Sequence, residues 1–227
     1  MPPKPESLCP ADQATLRRTC LRQGLEAMAI KANDKQITLL LDYLAMLEHW
    51  NKAYNLTAIR QPLEMISYHL LDSLSVHHHL NEASNIIDVG TGPGLPGIPL
   101  AIMNPTKKFT LLDSNGKKTR FLFQVINQLA LPNATEINQR VELYRSNKSF
   151  DTIVTRAFSS IPQMLENCCH LATHQSCFIA MKGKNPESEL SLIKKDYMVS
   201  DLCRLQVPGV EGERHLIKIN NITRSQK

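Results

Sequence analysis

The fold is decided by the stretch DVGTGPGLPG, residues 88–97. It follows a short apolar run, residues 85–89, and precedes a segment with helical spacing. Glycines let a chain turn tightly and bring its backbone close to a ligand. Gly92, Gly94 and Gly97 also match the spacing G-x-G-x-x-G, although this pattern alone is often only a turn. The stretch therefore predicts a ligand-binding loop between a strand and a helix.

Short apolar runs alternate with helical stretches after Asn81, which is typical of βαβ units and a parallel sheet. The last two runs, about 197–207 and 214–220, are joined by a segment too short for a parallel crossover, so we expect an antiparallel pair. Together these patterns predict an α/β fold with a doubly wound, mostly parallel, Rossmann-like sheet. The other predicted strands are 85–89, 108–113, about 134–138, 150–155 and 177–181, and the helices between them are about 97–104, 116–130, 160–172 and 186–195.

The first 80 residues have a different pattern. Residues 1–10 hold four prolines and few core-forming side chains. Helical spacing follows over about 12–32 and 34–51, and a third helix starts at Pro62 and ends near residues 77–79. We therefore predict three parts of the chain: a disordered tail (1–11), an N-terminal helical region (12–80) and a larger α/β domain (81–227).

The composition is that of a globular protein with a mildly basic balance. Hydrophobic residues make up 42% and the formal net charge is +5, which permits a nucleic-acid partner without demanding one. The six cysteines form no C-x-x-C pair, so neither a disulfide framework nor a metal site is predicted. No apolar run approaches the roughly 18 residues of a membrane span. We expect a reduced, cytoplasmic protein.

Asp113 sharpens the interpretation of the glycine loop. It ends the second predicted strand, 19 residues after Gly94. A carboxylate in this place can accept hydrogen bonds from both ribose hydroxyls of an adenosine cofactor. Such an acid suits NAD and S-adenosylmethionine equally. The order of acid and glycines at Asp88 and the final antiparallel hairpin favour S-adenosylmethionine.

Seven segments resemble the glucose-inhibited division protein B family, which are methyltransferases of small-subunit ribosomal RNA. The resemblance covers roughly residues 50–220 and implies a class I fold that uses S-adenosylmethionine. It also implies methyl transfer to N7 of one guanine in a conserved loop of 16S ribosomal RNA. The matching segments are NKAYNLTAIR (51–60), HLLDSL (69–74), IIDVGTGPGLPGIPLAI (86–102), FTLLDSNGKKTRFL (109–122), FDTIVTRAFSS (150–160), AMKG (180–183) and LQVPGVEGERHLIKI (205–219).

Most candidate site residues come from this resemblance. The loop pattern contributes Gly92 and Asp113, and the resemblance implies the other cofactor contacts. No catalytic base is predicted, since guanine N7 carries no proton, but Arg156 and Lys182 each follow a strand and are candidates for positioning the substrate. The predicted cofactor-binding residues are Gly90, Gly92, Leu95, Asp113, Val141, Glu142 and Arg156.

The residues alone, without the resemblance, leave two other functions possible. An NAD-binding oxidoreductase would use the same loop, and a non-catalytic ribosome-binding module would bind RNA without methylating it. The implied partner is 16S ribosomal RNA or the assembling small ribosomal subunit. His69 and Asp72 share a helix face and are placed to pair. Basic residues that are candidates for RNA contact are Arg17, Arg18 and Arg22 in the first helix, Lys117, Lys118 and Arg120 after the second strand, and Lys182 and Lys184 after the fifth.

Overall fold

The computed structural model describes residues 9–80, 82–158, 160–184 and 186–221. Seven strands within these ranges form one sheet. They are β1 (Asn85–Val89), β2 (Lys108–Asp113), β3 (Ala134–Asn138), β4 (Phe150–Arg156), β5 (Ala172–Lys182), β6 (Tyr197–Arg204) and β7 (His215–Asn221). Their order across the sheet is β3-β2-β1-β4-β5-β7-β6.

The sheet is parallel except at one end. β1 pairs with β2 and β4, β2 pairs with β3, and β4 pairs with β5, all in parallel. β7 runs antiparallel to both β5 and β6. A parallel pair needs a long crossover, and the connection from residue 205 to residue 214 is too short for one. The doubly wound sheet with a terminal hairpin is therefore confirmed.

Helices cover both faces of this sheet. One helical segment, 62–74, contains a π turn, Ile66–Leu71, between two short α-helices. Two 3₁₀ turns, His77–Leu80 and Cys169–Leu171, each precede a strand. The α-helices are α1 (Pro10–Ala27), α2 (Asp34–Tyr54), α3 (Pro62–Met65), α4 (Asp72–Leu74), α5 (Gly97–Met103), α6 (Gly116–Gln128), α7 (Ile161–Cys168) and α8 (Glu187–Leu190).

The first helix differs in its bounds from the prediction of about 12–32. α1 begins at Pro10, so the end of the predicted tail is helical, and residues 1–8 lie outside the described residues. It ends at Ala27 because the chain leaves the helical path at Ala29, whose φ is +55°.

Two predicted helices in the second half are shorter than expected. α7 ends at Cys168 because β5 begins at Ala172 instead of residue 177. The residues that open β5 are mostly polar, so the apolar pattern did not reveal them as strand. α8 ends at Leu190, where a helix to about residue 195 was predicted.

Apolar side chains alternate between two cores, one on each face of the sheet. On β1, Ile86 belongs to one buried cluster and Ile87 to the other, and Leu111 and Leu112 divide in the same way on β2. The first cluster includes side chains of α1, α2, α5 and α6, whereas the second includes those of α7. Successive side chains of a strand point to opposite faces, so a parallel sheet must be covered on both sides.

The N-terminal helices pack into the first core and contact the glycine loop. Tyr43 of α2 is fully buried, and its hydroxyl donates to the Pro93 carbonyl at 2.9 Å. Arg17 of α1 forms an ion pair with Glu48 of α2 at 2.8 Å. The helices therefore help to hold the loop in place, and the domain boundary near residue 80 stays a prediction.

Gly24→Ala should destabilise the fold. An added Cβ at Gly24 in α1 would lie 2.3 Å from Leu71 Cδ1 and 2.9 Å from Leu71 Cδ2. Leu71 is itself buried in the first core, so it has little room to move. We expect the free energy of unfolding, measured by urea denaturation, to fall by about 1–3 kcal/mol, as in other overpacked cores.

Gly116→Ala is the matched control, because an added Cβ in α6 would meet only Asn138 Oδ1, at 3.5 Å. Replacing this glycine restricts the unfolded chain and should leave stability unchanged or higher by up to about 1 kcal/mol. Equal losses at the two positions would contradict the close packing of α1 on Leu71.

Candidate active site

The loop after β1 has backbone angles that favour glycine. The φ angle is +71° at Gly90, +62° at Gly92 and +103° at Gly94, a region in which residues with a Cβ are strained. The N–H groups of Gly90 and Thr91 donate to the Leu112 carbonyl of β2, at 2.8 and 3.1 Å. The loop is thereby held at the carboxyl ends of the strands, where open α/β sheets bind ligands.

The four glycines of the loop have two different roles. An added Cβ at Gly90 would meet no atom within 4 Å, and one at Gly92 would meet only Lys118 Nζ, at 3.9 Å. In contrast, a Cβ at Gly94 would lie 2.5 Å from an Ile98 carbon, and one at Gly97 would clash with buried side chains of the sheet. The first two glycines leave the outer face of the loop open, and the last two allow α5 to pack closely.

Asp88 is fully buried beneath the loop. Its Oδ2 accepts hydrogen bonds from the Thr91 hydroxyl at 2.6 Å and from the Gly97 N–H at 2.8 Å, which ties the loop to the start of α5. Its Oδ1 has no hydrogen-bond partner among the residues that the structure describes. Burial raises the pKa of Asp88 to about 6 because the carboxylate loses its hydration.

Asp113 ends β2 beside the loop, and it is also buried. Its Oδ2 accepts a hydrogen bond from the Gly92 N–H at 2.9 Å, and its Oδ1 accepts one from the Asn115 N–H at 2.8 Å. Lys118 Nζ lies 3.7 Å from Oδ2. Each carboxylate oxygen has two lone pairs, so both oxygens retain capacity for ribose hydroxyls. The predicted Gly92 and Asp113 are thus in direct contact.

Leu95, Val141 and Glu142 lie near the same edge but differ in exposure. Leu95 and Val141 are buried in the two cores, so their side chains serve packing. Glu142 is exposed, and its Oε1 accepts a hydrogen bond from Asn167 Nδ2 of α7 at 3.3 Å. The role of these three residues toward a cofactor stays a prediction.

A pocket of about 380 Å³ lies at the carboxyl ends of β4 and β5. Its volume falls in the range of roughly 300–1,000 Å³ that is typical of ligand sites. The wall is formed by the helical segment 62–74, the two strand ends and the β6–β7 hairpin. β4 pairs with β1, so this pocket is adjacent to the glycine loop. Its charged and polar lining includes Tyr68, His69, Asp72, Arg156, Lys182, Arg214 and His215.

Asp72, on the helical segment, joins the end of β4 and the hairpin in the wall of the pocket. Its Oδ2 accepts a hydrogen bond from Arg156 Nη1, and its Oδ1 accepts one from Arg214 Nε, both at 2.9 Å. Arg156 Nη1 also donates to the Tyr68 carbonyl at 3.1 Å. The Arg214 guanidinium lies 5.9 Å from the centre of the Tyr68 ring, which is within the range of a cation–π contact.

The expected partner of His69 differs from the observed one. His69 Nε2 shares a hydrogen bond with Thr57 Oγ1 at 2.9 Å, whereas Asp72 binds the two arginines. Burial, together with the positive charge of Arg156, lowers the pKa of His69 to about 4. His69 is therefore neutral near pH 7.

Several of the basic residues predicted to meet RNA form ion pairs with carboxylates. Lys182 Nζ lies 3.0 Å from Glu189 Oε2. Arg22 and Arg18 of α1 both form ion pairs with Asp34 of α2. Like Arg17, they connect α1 to α2. Three other candidates, Lys117, Arg120 and Lys184, have exposed side chains.

Sequence reasoning did not identify Arg214 or Tyr68 as site residues. Arg214 is 142 residues from its partner Asp72, so no local spacing connects the two. Its place in the segment 205–219 was the only feature of the sequence that pointed to it. That segment contributed to the family resemblance, but the resemblance assigned no role to Arg214.

No group of three or more His, Cys, Asp or Glu side chains among the described residues could hold a metal ion. No helix in the described part of the chain is both long enough and apolar enough to cross a membrane.

Solved structures share the fold at low sequence identity. The N-methyltransferase NodS of Bradyrhizobium japonicum, solved with S-adenosyl-L-homocysteine, matches 78% of this chain and all of its own at a TM-score of 0.56 and 10% identity. A SAM-dependent methyltransferase from Aquifex aeolicus matches 66% of this chain and 89% of its own at a TM-score of 0.52 and 18% identity. These matches show the methyltransferase fold.

Sequence relatives are much closer. The model of the family described as rRNA small subunit methyltransferase G matches residues 36–217. Proteins named ribosomal RNA small subunit methyltransferase G are 46% identical in Alteromonas mediterranea, over 88% of this chain and 94% of the relative, and 48% identical in Escherichia coli, over 86% and 94%. With its open glycine loop beside a cation-lined pocket, the chain belongs to the rRNA small subunit methyltransferase G family.

Proposed function

We propose that this protein transfers a methyl group from S-adenosylmethionine to N7 of a guanine in 16S ribosomal RNA, in the cytoplasm and on free RNA or the assembling small subunit. The observation that carries the proposal is the open glycine loop beside a pocket lined by arginines, in a chain of this family. Family membership and the methyltransferase fold favour this function over an NAD-dependent or a non-catalytic one.

The residues of the loop fit an adenosine cofactor. Gly90 and Gly92 leave open the space that a Cβ would fill. Asp113 keeps lone pairs for ribose hydroxyls while it binds the loop. The buried carboxyl of Asp88 beneath the loop places negative charge where a sulfonium ion would be favoured. When bound there, S-adenosylmethionine supplies an electrophilic methyl group.

The side chains of the pocket act by positioning. Guanine N7 has an in-plane lone pair and carries no proton, so no side chain needs to act as a general base. Proximity and alignment of the reacting groups can then supply several kcal/mol. The purine becomes positively charged when N7 is methylated. The carboxylate of Asp72 lies between Arg156 and Arg214 and offsets part of their positive charge, which reduces the repulsion of the charged product.

The proposed function is tested by mapping N7-methylguanine in 16S ribosomal RNA. A bacterial strain that lacks its own rRNA small subunit methyltransferase G would receive this chain on a plasmid. We expect one N7-methylguanine, absent from the deletion strain, to return in the complemented strain, as detected by borohydride reduction and chain cleavage. Expression of the folded protein without any return of N7 methylation would contradict the proposal.

Gly90→Ala should weaken binding of S-adenosylhomocysteine by ten-fold or more in calorimetry. The added methyl group enters the open space above the loop and favours a different φ at this residue. A ten-fold loss corresponds to about 1.4 kcal/mol.

Gly212→Ala is the matched control, because Gly212 has a similar φ of +87° and also has no atom within 4 Å of an added Cβ. It lies in the β6–β7 hairpin, away from the glycine loop, so the backbone strain is similar but the affinity should be unchanged. Equal affinities of the two variants would place the cofactor elsewhere.

The rate of methyl transfer should be almost independent of pH. The pKa is about 6 for Asp88 and about 4 for His69, so neither group changes charge greatly above pH 6.5. We expect the single-turnover rate with saturating substrates to vary by less than about two-fold from pH 6.5 to 8.5. A ten-fold rise per pH unit that one substitution abolishes would reveal a catalytic base.

A further inference from the structure

The two arginines of the pocket retain hydrogen-bond donors. Arg214 uses Nε for Asp72 and Nη1 for the Glu213 carbonyl, at 2.9 and 2.7 Å. Arg156 uses Nη1 for both of its contacts. The Nη2 group of each arginine has no hydrogen-bond partner among the described residues. A guanidinium has donors only and no acceptor, so the free groups select a ligand atom that accepts.

The orientation of Arg214 is set by its neighbours. Asp72 and the Tyr68 ring hold the guanidinium from two sides. The hairpin that carries Arg214 is fastened to the same helical segment, because the Glu211 N–H donates to Tyr68 Oη at 3.1 Å. An added Cβ at Gly209 would lie 2.3 Å from Ser67 Oγ, so the backbones approach closely there. Arg214 is thus held in place from both sides before a substrate arrives.

The rest of the pocket suits a flat base. Ile59, Met181 and Leu205 contribute apolar surface, and Tyr68 contributes a ring. Enzymes that modify a base within folded RNA or DNA flip it out into such a pocket, where it packs against apolar and aromatic side chains. One polar edge of the base would then face the arginines.

Purines differ at position 6 of that edge. Guanine has the O6 acceptor there, next to the N7 acceptor, whereas adenine has an amino group that donates. An arginine that bound O6 and N7 through two nitrogens would occupy the lone pair that must be methylated. Nε of Arg214 is bound to Asp72 and one hydrogen of Nη1 to the Glu213 carbonyl, so Nη2 is the nitrogen with both of its hydrogens free. A single hydrogen bond from Nη2 to O6 leaves N7 free.

We propose, on the basis of the proposed function, that this pocket receives the flipped-out guanine and that Arg214 donates a hydrogen bond to guanine O6. Asp72 and Tyr68 act as positioning residues for that donor. The pocket thereby accepts a purine with a 6-keto group and rejects a purine without one. Recognition of the base and attachment of the hairpin to the helical segment thus depend on the same guanidinium.

The test compares three RNA substrates that differ at the target nucleotide. The RNA would carry guanosine, inosine or 2-aminopurine riboside there, and methyl transfer would be followed with methyl-labelled S-adenosylmethionine. Inosine keeps O6 and lacks the 2-amino group, whereas 2-aminopurine keeps the 2-amino group and lacks O6. We expect the wild-type protein to use guanosine and inosine within a few-fold of each other and 2-aminopurine about ten- to hundred-fold more slowly.

Arg214→Ala should slow transfer to guanosine by about ten- to hundred-fold but leave the rate on 2-aminopurine nearly unchanged, because that substrate has no O6 to lose. The ratio of the two rates is measured on one protein sample, so partial unfolding cancels. Arg214→Lys, which keeps the charge beside Asp72, serves as the second variant. It should also lower the ratio of the guanosine rate to the 2-aminopurine rate to near one. Binding of S-adenosylhomocysteine should stay within two-fold.

Arg204→Ala is the matched control, since Arg204 lies in the same hairpin with a largely exposed side chain, 4.0 Å from Glu213. It should keep the wild-type ratio. If Arg214→Ala slowed guanosine and 2-aminopurine equally, its role would be structural and the inference would be overturned. If the wild-type protein methylated no guanosine RNA, the proposed function itself would fail, which is a separate outcome.

Discussion

One buried carboxylate, that of Asp72, holds together three of the segments that line the pocket. It comes from the helical segment 62–74, while Arg156 comes from the end of β4 and Arg214 from the hairpin. Removal of one partner from such a buried ion pair leaves an uncompensated charge and typically costs about 3–5 kcal/mol. The π turn Ile66–Leu71 precedes Asp72 directly, and such turns are frequent at functional sites.

Two further carboxylates shape the glycine loop. Asp88 binds it from beneath, through Thr91 and Gly97, and Asp113 binds it from the neighbouring strand, through Gly92. The loop can therefore keep its left-handed glycines and its open outer face without a ligand. Arg156 lies close enough for its charge to lower the pKa values of both Asp88 and His69, so the loop and the pocket share one electrostatic environment.

The N-terminal helices belong to the same framework as the sheet. Tyr43 of α2 binds the glycine loop at Pro93, and Thr57, in the connection after α2, binds His69 in the pocket wall. The arginines of α1 pair with carboxylates of α2. The charges that made this region a candidate for RNA contact thus connect α1 to α2.

Local pattern was enough to predict the sheet, its hairpin and the glycine loop. Alternating apolar runs reveal strands, and a strand followed by glycines reveals a tight turn, because these properties depend on neighbours in the chain. The same reasoning placed Asp113 at the end of the second strand. In the structure Asp113 contacts Gly92, since adjacent parallel strands end at one edge. The reasoning failed at the start of β5, where Ala172 pairs with Phe150 of β4 and the polar residues 173–176 lie in an irregularity of the register.

Only the tertiary structure decided the pairing of charges around the pocket. Spacing along one helix suggested that His69 would pair with Asp72, but Asp72 instead binds arginines that are 84 and 142 residues away. An ion pair is strong where both partners are buried together, and burial is a property of the assembled fold. The amino-acid sequence by itself therefore determined the loop and the family, whereas the packing of helix, strand and hairpin decided which cations line the pocket.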